Sequence, residues 1–140
     1  MTINNQKGLS IVSAAILIIV IGALVGGGFL LLNEEKAKSR DAKRMADMAR
    51  VQAAFELTFA NTSSYVAATQ SGCDKDGMLV SQCNLEKYIS TISQMKDPGK
   101  YQYQVVSVPT AEAYGVSFFL EKSYENFAAG KHTLSQDGIE

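Results

Sequence analysis

The stretch that decides the fold is residues 9–32, which read LSIVSAAILIIVIGALVGGGFLLL. Only two serines interrupt its apolar character, and a helix of this length measures about 36 Å, enough to cross a bilayer core of about 30 Å. A cleaved secretory signal has a shorter apolar region, of about 7–15 residues, followed by small residues. Here Asn33 and two glutamates follow instead. The stretch therefore predicts a membrane-spanning helix.

Charge is segregated along the 140-residue chain, although the net charge is only -1. Residues 8–33 carry no charged side chain, whereas residues 34–50 carry ten. Roughly 105 residues lie outside the apolar stretch, which is enough for one small hydrophobic core. This composition excludes a large enzyme, a repeat array and a disulfide-dense scaffold, and the balanced net charge does not indicate a nucleic-acid binder.

Residues 33–61 continue the helix as an amphipathic segment without proline. Its apolar side chains recur at intervals of three or four residues, which places them on one face. These side chains are Met45, Met48, Val51, Phe55 and Phe59. We expect one helix from about Leu9 to about Ala60, whose first half lies in lipid and whose second half packs on a domain.

The charged part of this segment mixes six basic with four acidic side chains between residues 34 and 50. Glu34 and Lys38 are spaced to pair weakly, as are Lys43 and Asp47 or Asp47 and Arg50. Because acids interleave with bases, the pattern favours a solvated, subunit-pairing helix face over a nucleic-acid site.

Residues 62–140 form the predicted globular head. Tyr65–Lys100 has no sustained period and contains both cysteines, so we expect a loop with one short helix near Leu85–Ile89, capped by Asn84. Alternation of apolar and polar side chains then predicts strands around 101–105, 114–120 and 132–135. The predicted fold class is α+β, a long N-terminal helix packed by its second half on an antiparallel sheet of about three strands.

Four glycines interrupt the apolar stretch: Gly22, Gly26, Gly27 and Gly28. Each weakens a helix in water by roughly 1 kcal/mol relative to alanine. Gly22 and Gly26 also form a GxxxG pattern, which allows another helix to approach closely. The glycines are therefore candidates for a helix-melting segment, for a packing site, or simply for the glycine content that is common in membrane helices.

Two cysteines, Cys73 and Cys83, lie in the polar loop. In a small loop-rich domain attached to a membrane span, such a pair indicates a disulfide formed in an oxidising compartment. The alternative is two free thiols in the cytoplasm. Basic residues favour that second compartment, because Lys7 alone flanks the span on one side and five basic residues between 36 and 44 flank it on the other.

The N-terminal residues Gln6-Lys7-Gly8-Leu9-Ser10-Ile11-Val12, followed by the apolar stretch, resemble the start of type IV pilins and type II secretion pseudopilins. In that family a membrane peptidase cuts after the glycine of a short basic leader and methylates the new N-terminus. The resemblance implies a leader of residues 1–8, cleavage between Gly8 and Leu9, and N-methylation of Leu9. It also implies an exported head, despite the basic flank.

The resemblance covers most of the chain and is strongest over residues 6–65. The segment from Ser39–Arg44 through Phe55, ending at Ser64-Tyr65, is similar to the amphipathic half of a pilin helix. Asp97–Tyr103 is similar to the entry into a pilin sheet. Two positions depart from the family pattern. Ser13 replaces the glutamate of the fifth mature position, which is thought to meet a neighbour's terminal amine, and Leu9 replaces the usual phenylalanine.

The family resemblance implies a structural subunit of a pilus-like or pseudopilus filament. Its partners would be copies of itself, related minor pilins, the prepilin peptidase and the inner-membrane assembly machinery. The alternative is a single-pass anchored protein whose exported domain binds a ligand and does not polymerise. The sequence does not distinguish adhesion, motility, DNA uptake and secretion, nor a major from a minor subunit.

No catalytic constellation is visible in the sequence, and we predict no enzyme, cofactor or metal site. His132 has no companion histidine, and Asp74–Gly77 resembles the opening of a calcium loop without its later ligands. By the family resemblance, Asp137-Gly138 is a candidate for a metal-binding loop of the kind found in some pseudopilins. A solvated turn is the simpler interpretation of both acidic segments.

Overall fold

The structure is a computed structural model that describes the backbone of residues 11–140 and the side chains of residues 14–28 and 31–140. The chain divides into two compact units, one that ends at Lys36 and one of Ala37–Glu140. The fold class is α+β, as predicted: one long helix followed by an antiparallel sheet.

Helix α1, Ile11–Thr62, has 52 residues and belongs to both units. The single predicted helix is confirmed over the described residues, and it ends two residues beyond the predicted Ala60. Ser63 follows with a left-handed backbone, φ 55°, and its N–H donates to Phe59 O. That conformation closes the last turn of the helix. Part of α1 is long and apolar enough to span a membrane, with a mean hydropathy of 2.8.

The sheet has four strands in the order β1-β2-β3-β4, with β1 Gln104–Ser107, β2 Gly115–Leu120, β3 Gly130–Ser135 and β4 Gly138–Ile139. All neighbouring pairs are antiparallel. The prediction of about three strands is therefore wrong by one. Two residues are too few to show alternation, so β4 left no pattern in the sequence; it pairs with β3 after a turn in which Gly138 has φ 115°.

The core of the head lies between α1 and one face of the sheet. Met48, Val51 and Phe55 are fully buried, as the helical spacing predicts. The ring of Phe55 stacks on Tyr114, with 4.0 Å between centroids. Phe59 differs from the prediction, because it is 38% exposed and contacts the ring of Tyr65 instead of the sheet.

The connection between helix and sheet contains three short 3-10 helices, Tyr65–Thr69, Val80–Gln82 and Ile92–Gln94. The helix predicted at Leu85–Ile89 is wrong. That segment is a turn, in which the N–H groups of Tyr88 and Ile89 both donate to Leu85 O. Asn84 therefore has no helix to cap, and its side-chain amide donates to Ala67 O at 3.1 Å.

Candidate assembly site and buried charge cluster

The first candidate site is the apolar part of α1, residues 14–32. All its described side chains are exposed, so the chain itself offers them no core. Ile18 and Leu24 are each 71% exposed, and Ile19 is 70% exposed. Isolated exposed apolar residues are ordinary, but a continuous apolar surface marks contact with a membrane or another protein. Contact with lipid or with another protein would bury this surface.

The four glycines lie in this surface and are helical throughout. A Cβ atom built at Gly22, Gly26, Gly27 or Gly28 meets nothing within 4 Å of it among the described residues. The glycines are therefore not required by packing within the chain. Helix opening, close approach of another helix and the ordinary glycine content of membrane helices all stay as interpretations of these positions.

The predicted cleavage and methylation site, Gly8 and Leu9, lies outside the described residues. Ser13 lies in the first turn of α1, and its side chain is outside the described side chains. These assignments remain predictions from the family resemblance.

The predicted disulfide is confirmed: Cys73 and Cys83 form a bridge within the head. Both cysteines are buried, at 0% and 3% exposure, so the bridge is part of the core. Gly72 precedes it with φ 153°, and a Cβ there would lie 2.3 Å from Gln82 O. Only glycine lets the two ends of the loop approach this closely.

The second candidate site is a cluster of buried charges on α1. The guanidinium of Arg44 is fully buried and binds Asp97 with two hydrogen bonds, Nε to Oδ2 at 2.5 Å and Nη2 to Oδ1 at 2.9 Å. Its Nη1 donates to Asp41 Oδ1 at 2.7 Å and to Glu121 Oε1 at 2.8 Å. Arg40 adds a second cation, with Nε 2.7 Å from Glu121 Oε1. The cluster joins α1 to two separate loops of the head.

Backbone groups complete the cluster. Asp41 accepts the N–H groups of Glu121 at 3.0 Å and Lys122 at 2.8 Å. Asp97 accepts the N–H of Gly99 at 2.7 Å. A Cβ at position 99 would lie only 2.9 Å from Arg44 Nη2, so glycine leaves room for the guanidinium. Buried charges are tolerated when they are paired and hydrogen-bonded in this way.

The pKa values of the cluster reflect this pairing. Hydrogen bonds from Arg40 lower the pKa of Glu121 to about 2, although burial acts in the opposite direction. Burial is the largest single influence on Asp97 and Arg44 and opposes the charge of each, but their several hydrogen bonds and nearby opposite charges together outweigh it. The pKa of Asp97 is therefore lowered and that of Arg44 is raised. Glu121, Asp97 and Arg44 are all charged at neutral pH.

A further buried carboxylate, that of Asp47, lies on α1 three residues after Arg44. Asp47 is 4% exposed and accepts hydrogen bonds from Lys43 Nζ at 2.6 Å and from the hydroxyl of Tyr103 at 3.0 Å. The predicted pairing of Lys43 with Asp47 is confirmed. Arg50, which was also predicted to pair with Asp47, places its Nη2 3.5 Å from Thr91 Oγ1.

These buried charges correct the prediction that the charged segment is a solvated face. Asp41, Arg44 and Asp47 are buried, whereas Lys43 and Arg50 are exposed. Arg44 lies four residues before Met48, so the buried stripe continues toward the N-terminus with charged residues. The spacing of Arg44 from Met48 was the sequence signal that could have predicted its burial. No such signal pointed to its partners Asp97 and Glu121, because they are distant from Arg44 in sequence.

The remaining candidates from the sequence are His132 and the acidic segments at Asp74 and Asp137. Both ring nitrogens of His132 lie beside backbone carbonyls, Nδ1 3.1 Å from Glu140 O and Nε2 2.7 Å from Ala128 O. Within residues 11–140, no group of three or more His, Cys, Asp or Glu residues is arranged to hold a metal ion, and this includes the segments at Asp74 and Asp137.

Comparison of the chain with protein-family models, curated proteins and solved structures found no match. The assignment of function therefore depends on the geometry of the two sites and on the sequence pattern at the N-terminus.

Proposed function

We propose that the chain is a pilin-like structural subunit. It waits in the membrane as a single-pass protein and is extracted into a filament, with its apolar helix bundled against those of other copies. The observation that carries the proposal is the exposure of every described side chain in residues 14–32, in a chain that also has a folded, disulfide-bonded head. The proposed role is structural, and no enzymatic activity is assigned.

The driving force for such an assembly is reburial of the apolar helix. Ile18, Ile19 and Leu24 each expose about 70% of their surface. At about 25 cal/mol per Å² of apolar area, leaving lipid for water would cost tens of kcal/mol over the whole segment. Extraction is therefore feasible only if neighbouring helices replace the lipid, and a bundle of copies supplies such neighbours.

The disulfide supports export of the head, because bridges persist in oxidising compartments and are rare in the cytoplasm. The proposed location is thus the membrane first, with the head outside the cytoplasm, and then an extracellular or periplasmic filament. The proposed partners are copies of the chain, related minor pilins, the prepilin peptidase and the assembly machinery of the inner membrane.

Leader processing tests the proposal. Intact-mass measurement on the protein from its native membrane should show loss of residues 1–8 and one added methyl group on Leu9. Gly8→Leu should block both changes, whereas Gln6→Leu, a matched control two residues away, should leave them intact. A mature chain that still begins at Met1 and stays monomeric on extraction would contradict the proposal, and would favour the anchored binding protein.

A further inference from the structure

A basic groove lies on the head beside Met95. Three adjoining depressions meet there: Met95 lines all three, and Leu79 and Lys96 line two. Their volumes are about 210, 250 and 580 Å³. The cationic side chains of Lys43, Arg50 and Lys96 line these depressions, and we call the whole feature the basic groove.

The basic groove presents net positive charge. Its two carboxylates are already engaged, Asp97 by Arg44 and Asp47 by Lys43. Arg50 and Lys96 are exposed, and among the side chains that the structure describes neither forms a salt bridge. A surface of this kind, soft and apolar at Met95 with cations around it, fits an acidic protein surface.

The same head carries an acidic patch, which we define as Glu56 and Asp137. The hydroxyl of Tyr65 donates to Glu56 Oε1 at 3.1 Å. Gln136, the neighbour of Asp137 in sequence, accepts the backbone N–H of Tyr114 at 3.4 Å, and the ring of Tyr114 lies 4.9 Å from that of Tyr65. Asp137 therefore lies on the same side of the head as Glu56, and burial together with both carboxylates raises the pKa of Tyr65. Both are exposed to solvent.

The groove and the patch lie at opposite edges of the sheet. Leu79 of the groove bridges to Gln104 of β1, whereas Asp137 lies in the turn between β3 and β4, the other edge. On α1, Glu56 follows Arg50 by six residues, which places it about 9 Å further along the helix axis and about 120° around it. The two surfaces of one head therefore face different directions.

We propose that the basic groove of one copy binds the acidic patch of a neighbouring copy. This inference rests on the proposed function, and it names the contact between heads. Two different surfaces of the same chain make a head-to-tail contact, which generates an open helical assembly when the rotation does not close. The axial offset between the surfaces displaces each copy along the helix relative to the next, as a filament requires.

A zero-length carbodiimide cross-link tests the contact, because it joins an amine to a carboxylate only when the two touch. Filaments assembled from the full chain, half of it labelled with ¹⁵N, should give mixed-isotope peptides that join Lys96 to Asp137 or to Glu56. The mixed isotopes show that the bond lies between copies. Filaments without such a link would overturn the inference and leave the proposed function standing.

Charge reversal gives a second, independent test. Lys96→Glu and Asp137→Lys should each lower filament yield by about tenfold, since like charges opposed in an interface are strongly unfavourable. The double variant should restore the yield. Lys75→Glu makes the same charge change as Lys96→Glu but lies outside both surfaces, so it should not change the filament yield.

Head stability, measured by thermal unfolding of each variant, separates an interface effect from misfolding. Unchanged yield in both single variants, or a double variant no better than the singles, would contradict the contact. Failure of the unaltered chain to form any filament would instead remove the proposed function and the inference together.

Discussion

The two parts of α1 differ in where their side chains find partners. In residues 14–32 apolar side chains such as Leu24 are exposed, whereas in the part of α1 that packs on the head the charged Arg44 is fully buried. Burial therefore does not follow polarity along this helix. It follows the availability of a partner: the head supplies Asp97 and Glu121 for the guanidinium, and nothing described in the chain covers the apolar segment.

Arg44→Ala is the substitution for which we expect the largest effect on the stability of the head. It leaves the buried carboxylates of Asp41 and Asp97 without their cation, so we expect a loss of about 3–5 kcal/mol in the free energy of unfolding. Urea unfolding in detergent, followed by tyrosine fluorescence because the chain has no tryptophan, measures it. Arg50→Ala, at an exposed position of the same helix, should cost less than about 0.5 kcal/mol. Equal losses would contradict the assigned role of the cluster.

The disulfide makes the next largest expected contribution to the stability of the head. Replacing Cys73 and Cys83 together by serine should lower the free energy of unfolding by about 3 kcal/mol in the chain-entropy model. Ser71→Ala, beside the bridged loop, serves as the matched control.

The redox state of the cysteines tests the compartment of the head. Alkylation of the protein isolated from its natural membrane, and unfolded without a reductant, should label neither cysteine. Labelling of both in freshly isolated protein would place the head in a reducing compartment and would support the charge count that favours the cytoplasm.

The three adjacent glycines allow a test of the apolar part of α1. Replacing Gly26, Gly27 and Gly28 by alanine raises helix stability by up to about 3 kcal/mol in water, and it creates no contact within the chain. Backbone groups stay paired in lipid, so membrane insertion should be unchanged. If the helix must open in the filament, assembly should fall. Normal yield would contradict helix opening in the proposed filament. Gly22→Ala, which leaves the three adjacent glycines intact, tests the GxxxG pair separately.

Acid should weaken the head and not the apolar segment, which has no charged side chain. The pKa of Glu121 is lowered to about 2, against an ordinary 4.5, and that of Asp97 is also lowered. Their stabilising contribution is therefore present above pH 4.5 and is lost as the pH falls toward 2. Glu121→Gln should reduce this loss by about 1–2 kcal/mol, whereas Glu112→Gln, at an exposed site, should not change the pH profile of urea unfolding.

The sequence by itself determined the α+β class, the single long helix, three of the four strands and the disulfide. The disulfide followed from the presence of two cysteines in a small loop-rich domain. The other features follow from local signals: hydropathy over residues 9–32, helical spacing of Met48, Val51 and Phe55, and alternation along the strands. Each of these signals is a property of neighbouring residues, because backbone geometry repeats with a fixed period.

Only the tertiary structure decided where the charges lie. Arg44 and Asp97 are separated by 53 positions, and Arg44 and Glu121 by 77. No short-range pattern connects such residues, and a charged residue in a polar stretch is by default solvated. The head overrides that default because two loops bring the carboxylates of Asp97 and Glu121 to a guanidinium that already has Asp41 beside it on α1. Their hydrogen bonds and charges offset the cost of removing the guanidinium from water.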